Sequence, residues 1–390
     1  MKMLTAYTRE CDIPEEAIAE LTQQLGLPTS LKANSAGFIT CSYDFVESGI
    51  LQEICQAMPF PIVGCTTLTG ATAGECDTML LSLSVLTDDE CTFAVVETSP
   101  LTRDNLLESI RDAYEAGIKK IPERPAMILS FCPMLEDAGS ELLLNALEEI
   151  CDGVPIFGTM GCDGDISLYA NTYTFINGKV FKDCMGFMLI QGPFYPRFFV
   201  KSVVEDKIQK QKAIITASEG SVLKEVNGIS AAEYLESIGL AHGQGLEALS
   251  TVPFVIDYHD GTPPVARAIY MVNEENHAIC GGAMPQGATL SVGVIAYEDV
   301  LSTARQAMDE VTQSGCNQGL IMFPCLGRNL VLGLDNMAEI KAIEDSMPAG
   351  DQTQKIPYQL AYSGGEICPL YAEGRPVNRY HNYSFIACAF

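Results

Sequence analysis

Basic residues are scarce in this chain of 390 residues. It has 23 Lys and Arg against 50 Asp and Glu, which gives a formal net charge of −27 at pH 7. Binding to nucleic-acid phosphates requires clustered Lys and Arg, and an anionic membrane surface repels a protein of this charge. We therefore expect neither nucleic acid nor a membrane among the partners of this protein.

Long apolar runs and export signals are also missing. No apolar stretch approaches the ~20 residues that a membrane-spanning helix needs, and residues 1–12 lack the apolar core of a signal peptide. The 15 cysteines include no C-x-x-C pair, which gives a zinc knuckle or a thioredoxin-like redox site little support. We expect buried, reduced thiols and a cytoplasmic protein.

The motifs of common enzymes and metal sites are absent as well. The chain has no G-x-S-x-G, H-E-x-x-H or Walker A sequence. Histidine is rare, with four residues that do not form a close pair in sequence: His242, His259, His277 and His381. We therefore predict no metal site. A cysteine nucleophile is an alternative that the sequence leaves open, at Cys65, Cys162 or Cys325, although none has an adjacent base.

What the chain does contain is a repeated α/β pattern, within a composition typical of an ordered globular protein (47% hydrophobic, 19% charged). A helix, a strand that ends in cysteine, a second helix (45–58 in the first copy) and a short strand that ends in glycine occur over residues 15–64 and again over residues 104–158. A third copy follows over residues 300–365. We predict that Cys41, Cys132 and Cys325 hold matching places in the three copies.

The predicted fold is α/β, with repeated helix-strand-helix-strand units that form mixed sheets flanked by helices. A β-rich segment, residues 171–294, separates the second and third copies, and Asn177-Gly178 marks a hairpin within it. The lysine-rich stretch 201–212 is the best candidate for a domain boundary. Since each repeat is too short to bury its own apolar face, we expect the N- and C-terminal halves to pack around a central pocket.

The loops after the repeat strands are the predicted ligand site, because sites collect where buried strands end. We expect the strand ends near Gly64, Gly158 and Gly364 to face a common hollow. In the first two copies the candidate ligand-binding residues are Cys65, Thr66, Thr67, Thr159, Met160, Cys162 and Asp163.

Two polar clusters flank the third copy. Arg328 can hold a carboxylate by a two-pronged contact and Glu366 can hold an ammonium group, so together they suit a zwitterion such as an amino acid. The alternative is that Arg328 and Glu366 pair with each other. The remaining candidates in this part of the chain are Cys325, Tyr362, Gly364, Gly365, His381 and Asn382.

These clusters also carry a resemblance to a known family. The segments F-P-C-L-G-R at 323–328, Y-S-G-G-E-I-C-P at 362–369 and R-Y-H-N-Y-S at 379–384 resemble the C-terminal half of the FIST sensory-domain family. Residues 62–67 and 156–161 resemble its N-terminal half, and N-G at 227–228 followed by A-E-Y-L at 232–235 is similar to the phrase near the junction of the halves. The resemblance covers almost the whole chain in the right order.

The resemblance implies a FIST N-terminal-like domain over residues 1–200 with two repeats and a C-terminal-like domain over 201–390. It further implies a stand-alone bacterial or archaeal sensor, without chemistry of its own, that binds an amino acid or a related metabolite. Its signalling partner would be a separate protein such as a histidine kinase or a chemotaxis receptor, since no output domain follows Phe390. Some relatives bind haem and sense nitric oxide; here His381 or His259 would have to be the axial ligand.

Overall fold

A computed structural model describes residues 1–135, 138–163, 170–240, 251–347 and 356–390 of the chain. His242, one of the four histidines, lies outside these ranges. No helix in the described ranges has the length and apolar character that crossing a membrane requires.

Nine α-helices occur in the described ranges, most of them amphipathic with one buried face. They are α1 Pro14–Leu25, α2 Asp44–Glu47, α3 Ile50–Ala57, α4 Leu106–Ile118, α5 Ser140–Cys151, α6 Ala231–Ser237, α7 Tyr297–Ser314, α8 Leu326–Leu332 and α9 Ala338–Asp345. The single helix predicted over 45–58 is wrong in one respect: it is two helices, because Gly49 between them adopts a φ of 82°, which no α-helix accepts.

The strands run the length of the chain. The first thirteen are β1 Lys2–Thr8, β2 Asn34–Cys41, β3 Ile62–Thr66, β4 Gly70–Thr72, β5 Glu75–Asp77, β6 Leu81–Asp88, β7 Thr92–Glu97, β8 Met127–Cys132, β9 Ile156–Met160, β10 Thr174–Ile176, β11 Lys179–Phe181, β12 Gly186–Gln191 and β13 Arg197–Lys201. The others are β14 Ala213–Glu219, β15 Val222–Val226, β16 Ile229–Ser230, β17 Phe254–Asp257, β18 Val265–Arg267, β19 Ile269–Val272, β20 Ala278–Cys280, β21 Thr289–Val292, β22 Leu320–Pro324, β23 Tyr358–Ala361, β24 Glu366–Ala372, β25 Arg375–His381 and β26 Phe385–Ala389.

Three six-stranded sheets share one plan. Their strand orders are β1-β6-β2-β3-β10-β11, β7-β12-β8-β9-β24-β25 and β13-β26-β22-β23-β4-β5. At the centre of each lies a parallel pair, β2/β3, β8/β9 or β22/β23, and antiparallel strands flank it on both sides. We call the three repeats that supply these pairs units 1, 2 and 3. The predicted α/β class, with repeated units and mixed sheets, is confirmed.

The units exchange hairpins in a closed cycle. The second strand of each parallel pair leads into a hairpin that completes a different sheet: β3 into β4-β5 of the third sheet, β9 into β10-β11 of the first, and β23 into β24-β25 of the second. We call the described parts of the connecting segments, residues 67–69, 161–163 with 170–173, and 362–365, the crossovers. Each sheet is therefore completed by a unit other than the one that supplies its parallel pair.

The core lies between the sheets and under the helices. Phe131 of the second sheet is in ring contact with Phe38 of the first at 6.2 Å and with Phe323 of the third at 6.3 Å, and all three side chains are buried. Helices α1 and α3, α4 and α5, and α7 and α9 cover the outer faces of the first, second and third sheets. Burying one large apolar side chain, such as Phe131, stabilises the fold by about 1.5–3 kcal/mol.

The later part of the β-rich segment, from β14 to β21, forms a fourth sheet, ordered β18-β17-β21-β14-β15-β20-β19, with β16 paired to β15, whereas its first strands, β10 to β13, belong to the other three sheets. The hairpin predicted at Asn177-Gly178 is confirmed between β10 and β11, since both residues have a positive φ, 50° and 82°. The stretch 201–212 is mostly exposed and contains a short 3₁₀ helix, Glu205–Lys207. A domain boundary within it remains a prediction.

Candidate functional site

The three crossovers meet at one place, which we call the junction. An equivalent backbone hydrogen bond joins each unit to another unit there. Its donor is an N–H in a crossover or at the end of the strand before it, and its acceptor is a carbonyl of the other unit. These bonds run from Tyr362 N to Thr69 O at 3.1 Å, from Met160 N to Gly365 O at 2.9 Å, and from Thr66 N to Tyr173 O at 2.9 Å. The structure thus brings the strand ends of all three units together.

Backbone bonds also show which residues correspond between the units. A second set joins Thr67 N to Cys41 O, Gly161 N to Cys132 O, and Ser363 N to Pro324 O. The counterpart of Cys41 and Cys132 is therefore Pro324, and the predicted match with Cys325 is wrong by one residue. Since side chains alternate along a strand, this step turns the Cys325 thiol to a different side. Its counterpart in unit 1 is Ser42.

The glycines need a similar correction. Gly64 and Gly158 correspond, as predicted, but the strand register gives Leu360 as their counterpart in unit 3. Gly364 lies further along, inside the third crossover. There a Cβ would come within 2.7 Å of the Gly161 carbonyl oxygen, so the absence of a side chain allows two crossovers to touch.

Buried side chains link the crossovers to one another. Thr67 Oγ1 donates to the Tyr362 carbonyl at 2.8 Å, Cys162 Sγ approaches the same oxygen at 3.1 Å, and Thr159 bonds Ser363. Of the residues predicted in this region, the structure buries Cys65, Thr66, Thr67, Thr159, Met160, Cys162 and Tyr362, while Asp163 is half-buried. The strand ends meet where the sequence predicts, but they pack closely there instead of facing an open hollow.

Glu366 is an unusual group at the junction. Its side chain is 0% exposed; Oε2 accepts a bond from Ser384 N at 3.3 Å, and Oε1 has no hydrogen-bond partner among the residues that the structure describes. Burial raises the pKa of this carboxyl well above its usual range, although the nearby Cys325 thiol acts to lower it. The corresponding residues of the other hairpins are Gly70 and Thr174. Only unit 3 places an acid there.

The three candidate nucleophiles are buried thiols. Burial raises the pKa of Cys162 to about 12, and it raises the pKa of Cys65 and of Cys325 well above the usual range for cysteine. The thiolate is the nucleophilic form. At neutral pH these groups are therefore protonated, which is the opposite of an activated nucleophile.

Arg328 has an internal partner that sequence reasoning missed. Its guanidinium is fully buried and contacts Glu339 Oε1 of α9 through Nη2 at 2.6 Å and through Nε at 2.8 Å. Nη2 also donates to the Val300 carbonyl at 2.8 Å. The partner is Glu339 and not Glu366. The sequence does indicate that Glu339 is buried, because it precedes Ile343 by four residues and therefore lies on the face that the helix buries.

Glu339 connects this ion pair to the junction. The Tyr362 hydroxyl donates to Glu339 Oε2 at 2.9 Å, and the Tyr362 backbone carbonyl accepts from Thr67. A continuous chain of buried polar contacts thus runs from α9 through the third crossover to the first. Any movement of Tyr362 therefore changes its contacts with both Glu339 and Thr67.

The two histidines considered for haem already have hydrogen-bond partners within the protein. His381 is 1% exposed, its Nε2 is hydrogen-bonded to the Cys368 carbonyl at 2.9 Å, and burial lowers its pKa to about 3. His259 lies half-exposed, with Nδ1 3.5 Å from Asp257 and Nε2 on Thr289 at 2.9 Å. In the described ranges no group of His, Cys, Asp or Glu is arranged for a metal ion.

Asn382, the last predicted residue, has a structural contact. Its Oδ1 accepts a bond from Ala268 N at 3.1 Å, so it ties the end of β25 to the start of β19. It directly follows His381, which pairs with Glu366 across β24 and β25, and its side chain contacts the β-rich segment. The predicted set therefore divides into a group at the junction and a group, Asn382 and His381, beside it.

Comparison with known proteins gives a family match over most of the chain. The family model of the FIST N domain matches residues 35–229, and that of the FIST C domain matches residues 230–369. No curated protein matches. A solved structure described as "Cyanuric acid hydrolase: evolutionary innovation by structural concatenation" is similar at 9% identity and a TM-score of 0.33, covering 100% of this chain and 99% of that one. A likeness at that TM-score carries no argument.

Proposed function

The chain belongs to the family of proteins with FIST N and FIST C domains, and from this membership we propose that it is a non-enzymatic sensor that binds a small ligand. FIST domains are associated with sensory signal transduction and with small-ligand binding. The ligand we propose is an amino acid or a related small metabolite that carries an ammonium group. It would bind at the junction.

One observation carries this proposal, namely the unsatisfied carboxyl oxygen of Glu366. A buried polar atom without a partner costs about 1–3 kcal/mol, and Glu366 Oε1 is such an atom among the described residues. An ammonium group that binds as the carboxyl gives up its proton would supply both a hydrogen bond and an opposite charge. The corresponding Gly70 and Thr174 of the other units offer no charge, so the ammonium group has one preferred position.

Binding at this place requires the crossovers to separate, because the structure packs them closely. A ligand that binds only the separated form shifts the protein toward it, which is what a sensor requires. Through Tyr362 and Glu339, the separation would reach α9 on the surface of unit 3. We propose that a separate signalling protein, such as a histidine kinase or a chemotaxis receptor, responds to this change.

An amino acid makes one further demand that a simple amine does not. Its carboxylate can bind Arg328 only if Glu339 gives up the contacts it makes at 2.6 and 2.8 Å. An amine needs Glu366 alone. Comparing each amino acid with the amine formed by its decarboxylation therefore separates the two roles.

Two features support the non-enzymatic and cytoplasmic parts of the proposal. The raised pKa values of Cys65, Cys162 and Cys325 give no thiolate to act as a nucleophile. All 15 cysteines are free thiols, which suits a reducing compartment.

A thermal-shift screen of amino acids and their matching amines tests the proposal. Glu366→Gln should weaken binding of any ligand found by roughly 10- to 100-fold, the size of a lost charged hydrogen bond, whereas Glu16→Gln on the surface of α1 should have no effect. Arg328→Lys, which keeps a charge opposite Glu339 but loses the two-pronged contact, should weaken amino acids and not amines. Unchanged affinity in Glu366→Gln would contradict the proposed site.

A further inference from the structure

Arg267 is a fully buried cation away from the junction. It ends β18, and its side chain is 0% exposed. Nη1 donates to the Tyr380 carbonyl at 2.7 Å, Nη2 donates to the Tyr258 hydroxyl, and Nη2 also lies 3.5 Å from Glu141 Oε1. Glu141 is on the first turn of α5. The contact therefore joins the β-rich segment to the helical layer of the second sheet.

The Glu141 carboxylate is held in the way that proteins bind a foreign carboxylate. One oxygen faces the Arg267 guanidinium, and the other accepts the backbone N–H of Ala283. A guanidinium combined with a main-chain N–H is a usual donor set for carboxylate recognition. The Glu141 side chain remains 14% exposed, whereas the carboxylate of the other buried pair, Glu339, is 0% exposed. Solvent therefore reaches the Glu141 side chain.

Gly282 makes room for the carboxylate. A Cβ on Gly282 would lie 2.8 Å from Arg267 Nε and 3.0 Å from Glu141 Oε2, whereas a Cβ on the neighbouring Gly281 would collide with Asn382. Gly282 does not have a positive φ, so a turn does not explain it. The absent side chain instead lets the carboxylate lie between Arg267 and the backbone N–H of Ala283. We call Arg267 with residues 281–283 the cradle.

A second arginine adds positive charge beside the cradle. The guanidiniums of Arg267 and Arg379 lie 5.7 and 4.8 Å from the centre of the Tyr258 ring. Arg379 is 15% exposed and forms an ion pair with Asp260 at its outer side. Because Asp260 pairs with Arg379 and Glu148 lies nearby, Arg267 is the cation whose partner in this cluster is the Glu141 carboxylate.

We propose that the cradle is a binding site for small carboxylates and that Glu141 occupies it as a tethered ligand. A free carboxylate binds there when the first turn of α5 withdraws. The site touches the junction through β25: the Tyr380 carbonyl accepts from Arg267, and the Tyr380 hydroxyl reaches the Gly364 carbonyl at 3.5 Å. This site is separate from the one proposed above and stands whether or not an ammonium ligand binds Glu366.

Removing the tethered carboxylate tests the site. Glu141→Ala empties the cradle, and its melting temperature should rise with added acetate and then saturate, at constant ionic strength. The wild-type protein should respond roughly tenfold more weakly or less, because Glu141 competes at a high effective concentration. If Glu141→Ala does not fold alone, acetate should restore its circular dichroism spectrum.

Two variants serve as controls. Glu141→Gln loses the same charge but still fills the cradle with a carboxamide, so acetate should not stabilise it. Glu149→Ala removes a glutamate from the exposed face of the same helix, where it lies 3.9 Å from Arg111, and should respond to acetate no more than the wild-type protein. An equal response of all three variants to acetate, or no response of Glu141→Ala by either measurement, overturns the proposal.

Discussion

Units 1 and 3 differ in charge at one corresponding position. The bond from Phe45 N to Ser42 O in unit 1 matches the bond from Arg328 N to Cys325 O in unit 3. Both side chains are 0% exposed, but Phe45 packs among apolar residues and Arg328 forms an ion pair with Glu339. The same backbone therefore accepts either an aromatic ring or a charged pair.

This difference shows that the fold itself does not require the charge. Replacing a buried ion pair by apolar groups is often neutral or stabilising, because desolvation offsets the attraction of the charges. Unit 3 keeps the pair and adds a buried carboxyl, Glu366, where the other hairpins have Gly70 and Thr174. Function is thus expected in unit 3, which carries buried ionisable side chains where unit 1 has Phe45 and Gly70.

Breaking the ion pair should have the largest effect. Glu339→Ala leaves Arg328 buried without its partner, so we expect a loss of about 3–5 kcal/mol in the free energy of unfolding, measured by urea denaturation. The double variant Arg328→Met with Glu339→Leu gives unit 3 the apolar character that unit 1 has around Phe45. It should recover most of the loss, and a double variant as unstable as Glu339→Ala would refute the comparison.

A change at the glycine shared by units 1 and 2 should be the next largest. A Cβ on Gly158 would collide with the Ser130 backbone, so Gly158→Ala should cost about 1–3 kcal/mol by urea denaturation, the usual penalty of overpacking. Gly70→Ala is the control, since its Cβ would meet nothing nearer than 3.5 Å. Similar losses in both variants would show that close packing at the junction is not the cause.

The pH dependence of stability should then distinguish Glu366 from its uncharged counterparts. Its pKa is raised in the folded protein, whereas in the unfolded chain a glutamate titrates near ~4.3. Between that pH and the folded pKa, the unfolded chain has lost this proton while the folded protein keeps it. The contribution of Glu366 to the free energy of unfolding therefore falls as the pH rises through this range, by at most about 1.4 kcal/mol per pH unit. Glu366→Gln should lack this fall when urea denaturation is repeated across the pH range; identical curves for the two proteins would contradict it.

The smallest effect is expected at a surface ion pair of unit 1. Arg9 contacts Asp77 at 2.9 Å and Glu75 at 3.1 Å in the β4-β5 hairpin, with about two-fifths of each side chain exposed. Because water screens these charges, Arg9→Met should change the free energy of unfolding by less than about 1 kcal/mol. The change should shrink further at high salt. A loss as large as that of Glu339→Ala would mean that burial does not distinguish the two pairs.

Local patterns in the sequence predict much of the fold. The spacing of apolar residues gives the repeated helices and strands, and Asn177-Gly178 identifies its hairpin because the turn requires positive φ at both residues. The register of unit 3 is missed by one residue for a local reason. The strand β22 ends at Pro324, whereas β2 and β8 end at Cys41 and Cys132, so Cys325 lies one residue out of line with Cys41.

Contacts between distant parts of the chain could not be predicted in the same way. The hairpin exchange pairs Gly70 with Ala361, and nothing in either segment specifies that partner. The same holds for the cradle, which brings Glu141 to Arg267 and Ala283. Residue type marked Arg328 and Glu366 as notable, but their surroundings depend on helix and strand positions that only the folded chain defines.

The cyclic exchange of hairpins has a consequence for how the protein is made. As the chain leaves the ribosome, β3 has a bare edge until residues 174–181 emerge, and β9 has one until β24 follows about two hundred residues later. The nascent chain therefore carries exposed strand edges through most of its synthesis, which are sites for unwanted pairing between chains. Loss of the last three strands, β24 to β26, would strip partners from two sheets at once.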